Sequence, residues 1–202
     1  MYVKTLYREY TDATFSELKP RPPMWSHLGS LGPVLRAAVG DTIVVTFRNN
    51  ASFPCSMHPH GVFYTKENEG VPAPNDNMMP MMEMSGNEVM PGDTFVYNWG
   101  VPERAGPGPN DPSSIAWMYH SHVNEVRDVN TGLVGVILVS RYSAATNGRP
   151  ADIDREFVML FPSSTRTSAG TSIATSLPTC LVLRTTRPWR PWRWTPISKR
   201  AT

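Results

Sequence analysis

Two short segments concentrate the residues able to hold a metal ion. Met57-His58-Pro59-His60-Gly61 carries one His-x-His pair and Tyr119-His120-Ser121-His122-Val123 carries another, and together they hold four of the five histidines. In an extended backbone, side chains two positions apart point to the same side, so each pair aims two imidazoles at one point. Neutral imidazole is a strong metal ligand, and two such pairs in a histidine-poor chain read as the two halves of one metal site.

Strands have to present these pairs, and the composition supplies them. The chain has 202 residues, enough for one domain with its own core and some excess. Its 20 prolines and 14 glycines demand many turns. The apolar runs are short and rich in Val, Ile, Phe and Tyr, which is an all-β pattern. No apolar run approaches a membrane span. The opening Met-Tyr-Val-Lys-Thr-Leu-Tyr has no basic-then-apolar signal peptide. Two distant cysteines, Cys55 and Cys180, form neither a disulfide framework nor a zinc knuckle pattern.

Charge divides the chain in two. All 17 acidic residues precede Pro162, together with 12 of the 19 Lys and Arg, which leaves residues 1–161 at −5 and residues 162–202 at +7. The basic segment is crowded with Ser and Thr and ends in Trp189-Arg190-Pro191-Trp192-Arg193-Trp194. At face value, basic residues interleaved with tryptophan read as a membrane-surface or nucleic-acid arm.

Along the chain, Lys4 to Tyr10 reads as a strand and Leu18 to Met24, with three prolines, as an extended loop. Residues 27–41 form a glycine-punctuated lead into two strands, of which Thr42 to Arg48 is the clearest. Pro59 cannot donate to a ladder, so the first histidine pair belongs where a strand ends at the rim of a sheet. The loop from Glu67 to Pro91 holds Met78, Met79, Met81, Met82, Met84 and Met90. Thioethers are soft ligands suited to Cu(I), but the favoured reading of these methionines is a flexible lid packed over apolar surface. Thr94 to Trp99 reads as a strand, and the second histidine pair ends the aromatic strand Ala116 to His120. Asn124 to Asn130 reads as a polar excursion, Thr131 to Ser140 as a buried strand, and Phe157 to Phe161 as the start of one more.

The motifs His27-Leu28-Gly29-x-Leu31-Gly32-Pro33, Gly40-Asp41-Thr42, His58-Pro59-His60-Gly61 and Tyr119-His120-Ser121-His122-Val123, followed by Gly132-Leu133-x-Gly135, resemble in order and spacing the first cupredoxin domain of ceruloplasmin- and hephaestin-type multicopper oxidases. Tyr7 to Phe15 also resembles the segment preceding that domain's core. The resemblance runs from about Lys4 to Phe161 and implies a Greek-key β-sandwich, cupredoxin-like, with a disordered or non-native C-terminal tail. It places the domain at residues 1–161 and the tail at 162–202.

Residue by residue, the resemblance implies His58 as a ligand of a type 2 copper, and His60, His120 and His122 as ligands of a type 3 copper pair. His27 has no ligand role in this pattern. Glu67 and Glu69 follow the first pair closely; either they support the ligands or they are solvated loop charges. The four imidazoles are half of what the implied trinuclear cluster needs, so the implied partner is a second cupredoxin domain carrying a type 1 copper bound by two His and a Cys. Neither Cys55 nor Cys180 lies in a His-Cys-His segment. Dioxygen is the other implied partner; nucleic acid is not, and the implied location is secreted or periplasmic.

The tail has its own explanation. Permissible codons for Pro162 to Ser176, read one base out of phase, give Pro-Val-Val-Asp-Glu-Asn-Glu-Arg-Trp-Tyr-Leu-Asp-Arg-Asn-Ile. That string resembles the family's continuation after this point, and it explains the sudden loss of acids, so residues 162–202 are read as an out-of-frame segment. Three function classes follow for the chain: part of an oxidase that reduces dioxygen while oxidising Fe(II), another metal ion or a phenol; a copper-binding module without turnover; and a cupin-like metalloenzyme. The last fails on its second motif, because no histidine follows Pro91-Gly92-Asp93 closely.

Overall fold

The structure is a computed structural model that describes residues 4–72, 86–142, 145–146, 149–150, 152–161 and 179–188. Within it, alternation in sequence becomes alternation in burial. In β3 (Asp41–Asn49), Ile43, Val45, Phe47 and Asn49 turn inward while the residues between them face outward. The same logic puts Leu35 and Ala37 of β2 (Leu35–Ala38), Tyr97 and Trp99 of β5 (Thr94–Gly100), and Ile137 and Val139 of β7 (Val134–Ser140) into one core. Each fully buried side chain of this size contributes about 1.5–3 kcal/mol.

Two four-stranded sheets enclose that core. One has the order β1 (Leu6–Glu9), β10 (Thr179–Pro188), β3, β5; the other has β2, β7, β6 (Ser114–His120), β4 (His58–Pro59). From β1 to β6 successive strands alternate between the sheets, giving the crossing connections of a Greek-key, cupredoxin-like sandwich. Tyr7 of β1 bridges the layers, its ring 5.4 Å from that of Tyr119 in β6, while Tyr7–Phe47 at 6.0 Å and Tyr97–Trp99 at 5.5 Å pack within one sheet. A further pair, β8 (Ala145–Thr146) and β9 (Arg149–Pro150), forms a small separate ladder.

Two local readings differ from the sequence expectation. Residues 124–130 are not an irregular excursion: Glu125–Thr131 is a short helix, α1, whose N-cap Asn124 accepts a hydrogen bond from the Arg127 amide through its side chain. Phe157 to Phe161 is not a strand. It runs as an irregular strap, with Phe157, Met159, Leu160 and Phe161 exposed, held to β2 by a bidentate Arg36–Glu156 ion pair at 2.7 and 2.8 Å.

One strand of the first sheet comes from the tail. Of residues 162–202 only 179–188 are described, and they form β10, parallel to β1 and antiparallel to β3, with Cys180 opposite Asn49 and Pro188 opposite Asp41. A run of Leu181-Val182-Leu183-Arg184-Thr185-Thr186 has the strand propensity to pair with an open edge whatever its origin. The Trp189–Trp194 segment lies outside the described residues.

Candidate metal centre

The site forms where β4 ends against β6. Their antiparallel register sets His58 opposite His120 and Pro59 opposite Tyr119, and the His60 amide donates to the Met118 carbonyl at 2.9 Å. Gly61, at φ +76°, turns the chain away immediately afterwards, under the Trp117 ring, where a Cβ would lie only 2.1 Å from a ring carbon. Trp117 is fixed in turn by its indole N–H, which donates to the Ala105 carbonyl at 2.8 Å. Tyr119 is anchored by its hydroxyl on the Pro33 carbonyl at 2.7 Å.

Three imidazoles converge. His58, His60 and His120 each offer one ring nitrogen, all within 4.8 Å of one another. His122 stands beside them, its ring 5.2 Å from that of His58 and 5.5 Å from that of His120, with Nε2 3.7 Å from the Glu125 carboxylate. Thus the structure draws three of the four expected ligands into one tight group and sets the fourth at its side.

Backbone carbonyls fix the tautomers, because a carbonyl only accepts. His58 Nδ1–H donates to the Glu69 carbonyl at 2.6 Å, and His120 Nδ1–H donates to the Ser121 carbonyl at 3.0 Å, so both present Nε2 to the site. His60 Nε2 then donates to His120 Nε2 across 3.0 Å. Burial holds the pKa of His58 below the ordinary histidine value, with His60 and His122 adding repulsion against the Glu69 carbonyl bond. Burial likewise depresses His60 and His120, Glu125 opposing it in both cases. These rings are therefore neutral at neutral pH, the form that binds a metal.

The remaining candidates separate cleanly. His27 lies away from the group; its Nδ1–H donates to the Met24 carbonyl and its Nε2 accepts the Val158 amide at 3.3 Å, as a structural histidine would. Glu69 serves the site through its carbonyl, while its carboxylate pairs with Lys66. Glu67 is exposed, its carboxyl held low by a hydrogen bond from Thr65. Met90 is exposed, and Met78, Met79, Met81, Met82 and Met84 lie outside the described residues.

Sequence reasoning missed the residues that brace the two pairs. Ser56, Ser121 and Asp128 are fully buried and hydrogen-bonded to one another or to the histidine backbone. Only Ser121, enclosed by His120 and His122, carried a signal in the sequence; serine and aspartate near a turn otherwise look like ordinary loop chemistry.

A histidine-lined metal site at the rim of a two-sheet sandwich is the architecture of a copper-binding cupredoxin domain. The multicopper oxidase family profile matches residues 9–144. The chain is 46% identical to human ceruloplasmin over 164 residues, 43% to the human ferroxidase HEPHL1 over 175 and 40% to human hephaestin over 163. These alignments cover 80%, 80% and 79% of this chain and 15%, 14% and 14% of the relatives, so the chain spans about a seventh of their length. It belongs to the multicopper oxidase family, and copper is the metal that family uses.

Proposed function

We propose that His58, His60, His120 and His122 supply half of the ligands of a trinuclear copper site, His58 toward a type 2 ion and the other three toward a type 3 pair. The observation that carries this reading is the convergence of three neutral imidazoles from two separate His-x-His segments on one point. Copper bound there would pass electrons taken from a reducing substrate to dioxygen, which leaves as water.

The chain's own part in that reaction is to hold the His58 and His120 Nε2 atoms in fixed tautomers at a rim open enough for a second cupredoxin domain to close over it. His60 is exposed and His122 half-buried, whereas His120 is buried beneath them, so the group has one open side. The second domain supplies the missing ligands and the type 1 copper that accepts electrons from Fe(II), another metal ion or a phenol. The reading places the whole protein outside the cytoplasm. Among the described residues no helix is long and apolar enough to cross a membrane.

Two measurements test it on the 202-residue chain. Titration with Cu(II) is expected to show binding that disappears when the four histidines are replaced together. Oxygen electrode traces with Fe(II) or a phenol, compared with buffer and metal controls, are expected to show no enzymatic uptake, because the chain has no His-Cys-His segment for a type 1 copper. Robust uptake by this chain alone would sink the half-site reading. Copper binding without turnover is the second reading for the chain by itself, and the same His-Cys-His consideration favours it.

A further inference from the structure

We infer that Ser56, Ser121 and Asp128 form a positioning network that sets the distance between the two histidine pairs, an inference that rests on the metal-site reading proposed for those pairs. The strand pairing alone is a weak ruler. β4 has two residues, and one of them, Pro59, has no amide to donate. Something else must fix the separation of His58 and His60 from His120 and His122.

The network does so from behind the rings. The Ser56 amide donates to Ser121 Oγ at 3.1 Å, and Ser121 Oγ donates to Asp128 Oδ2 at 2.7 Å. In the return direction the His122 amide donates to Ser56 Oγ at 3.1 Å, and Ser56 Oγ donates to the Gly70 carbonyl at 2.6 Å. Gly70 adjoins Glu69, whose carbonyl holds the His58 ring. One closed set of bonds thereby ties the backbone before the first pair, the centre of the second pair and the carbonyl that orients His58.

Asp128 anchors the set at a cost. Its side chain is fully buried, and a buried carboxylate is costly unless paired and hydrogen-bonded. The pairing is complete: Arg127 Nη2 lies 2.7 Å and Nε 2.8 Å from Oδ1, while the Asn124 amide and Ser121 Oγ donate to Oδ2. Arg127 also lies over the Phe53 ring at 4.3 Å, so the helix grips the segment leading to Ser56 a second time. None of these three side chains touches the ring nitrogens that converge on the site; each acts through the backbone that carries the histidines.

The test compares Ser56→Ala, Ser121→Ala and Asp128→Asn in the full chain with Val126→Ala, an exposed position on the same helix. Cu(II) affinity is measured by competitive titration and corrected for the folded fraction from denaturation curves, and the bound ion is examined by electron paramagnetic resonance. Each network variant is expected to lose roughly 10–100-fold in affinity and to shift the copper hyperfine pattern, with Val126→Ala unchanged. Folded variants with the original affinity and spectrum overturn the inference, and so does a loss no larger than the unfolded fraction explains. Failure of the unaltered chain to bind Cu(II) overturns the metal-site reading itself, and the inference with it.

Discussion

His58 and His120 face each other across a two-residue strand pairing, their ring centroids 5.5 Å apart and their planes at 81°. Residues 62 positions apart in sequence thus become neighbours by register, and each ring is turned by a carbonyl of its own: Glu69 for His58, Ser121 for His120. The pairing brings the two rings together, and the carbonyls behind them set which nitrogen each turns toward the group.

Single replacement of either ring is expected to break it. His58→Ala and His120→Ala should each weaken Cu(II) binding by more than the roughly 10–100-fold typical of losing an outer-shell partner. His27→Ala should leave copper binding unchanged, since both of its nitrogens are bonded elsewhere. Isothermal titration of the three variants checks both halves of the expectation, and a copper-binding loss in His27→Ala alone would reverse the assignment.

The metal-free chain should lose stability as pH falls. His58, His60 and His120 all have depressed folded pKa values, with burial as the leading cause. Below the ordinary histidine value of about 6.5 the unfolded chain binds more protons than the folded one, so stability is full above that pH and declines below it as pH falls through the folded values. Urea midpoints measured from about pH 7.5 down to 5 should fall progressively below about pH 6.5. In a variant with all three histidines changed to Gln, that part of the decline should be gone.

Gly70→Ala is expected to be costly out of proportion to its size. Gly70 has φ +74°, and an added Cβ would lie 2.3 Å from the Met57 carbonyl oxygen, a backbone atom with nowhere to go. A cost of about 2 kcal/mol would lower Tm by roughly 4–8 °C. Because Gly70 and Glu69 supply the carbonyls that hold Ser56 and His58, Cu(II) affinity should fall too, whereas Gly92→Ala, with open space around its Cβ position, should affect stability only.

We also propose that residues 162–202 are an out-of-phase reading, supported by their abrupt change in charge and by the in-phase string obtained one base away. Sequencing gene and transcript from the codons of Leu160 onward decides it. A single-base change should restore a frame leading to a His-Cys-His segment; confirmation of the written frame to its stop would make β10 an authentic strand and leave copper binding without turnover as the chain's own activity.

Much of this protein was legible without coordinates, for local reasons. The alternation of Ile43, Val45 and Phe47 made β3 readable, because a strand's two faces differ every second residue. The two His-x-His pairs identified the metal chemistry, because residue type and a two-residue spacing suffice to aim two imidazoles one way. Tertiary structure decided what depends on distant partners. It turned the polar stretch after His122 into α1 through the Asn124 cap and the burial of Asp128, and left Phe157 to Phe161 as a strap tied down by Arg36 and Glu156. It also brought Ser56, Ser121 and the Glu69 carbonyl behind the histidines. Hydrogen bonds spanning 65 residues, such as Ser56 to Ser121, leave no periodicity in a sequence, so the atoms that orient the ligands appear only once the chain is folded.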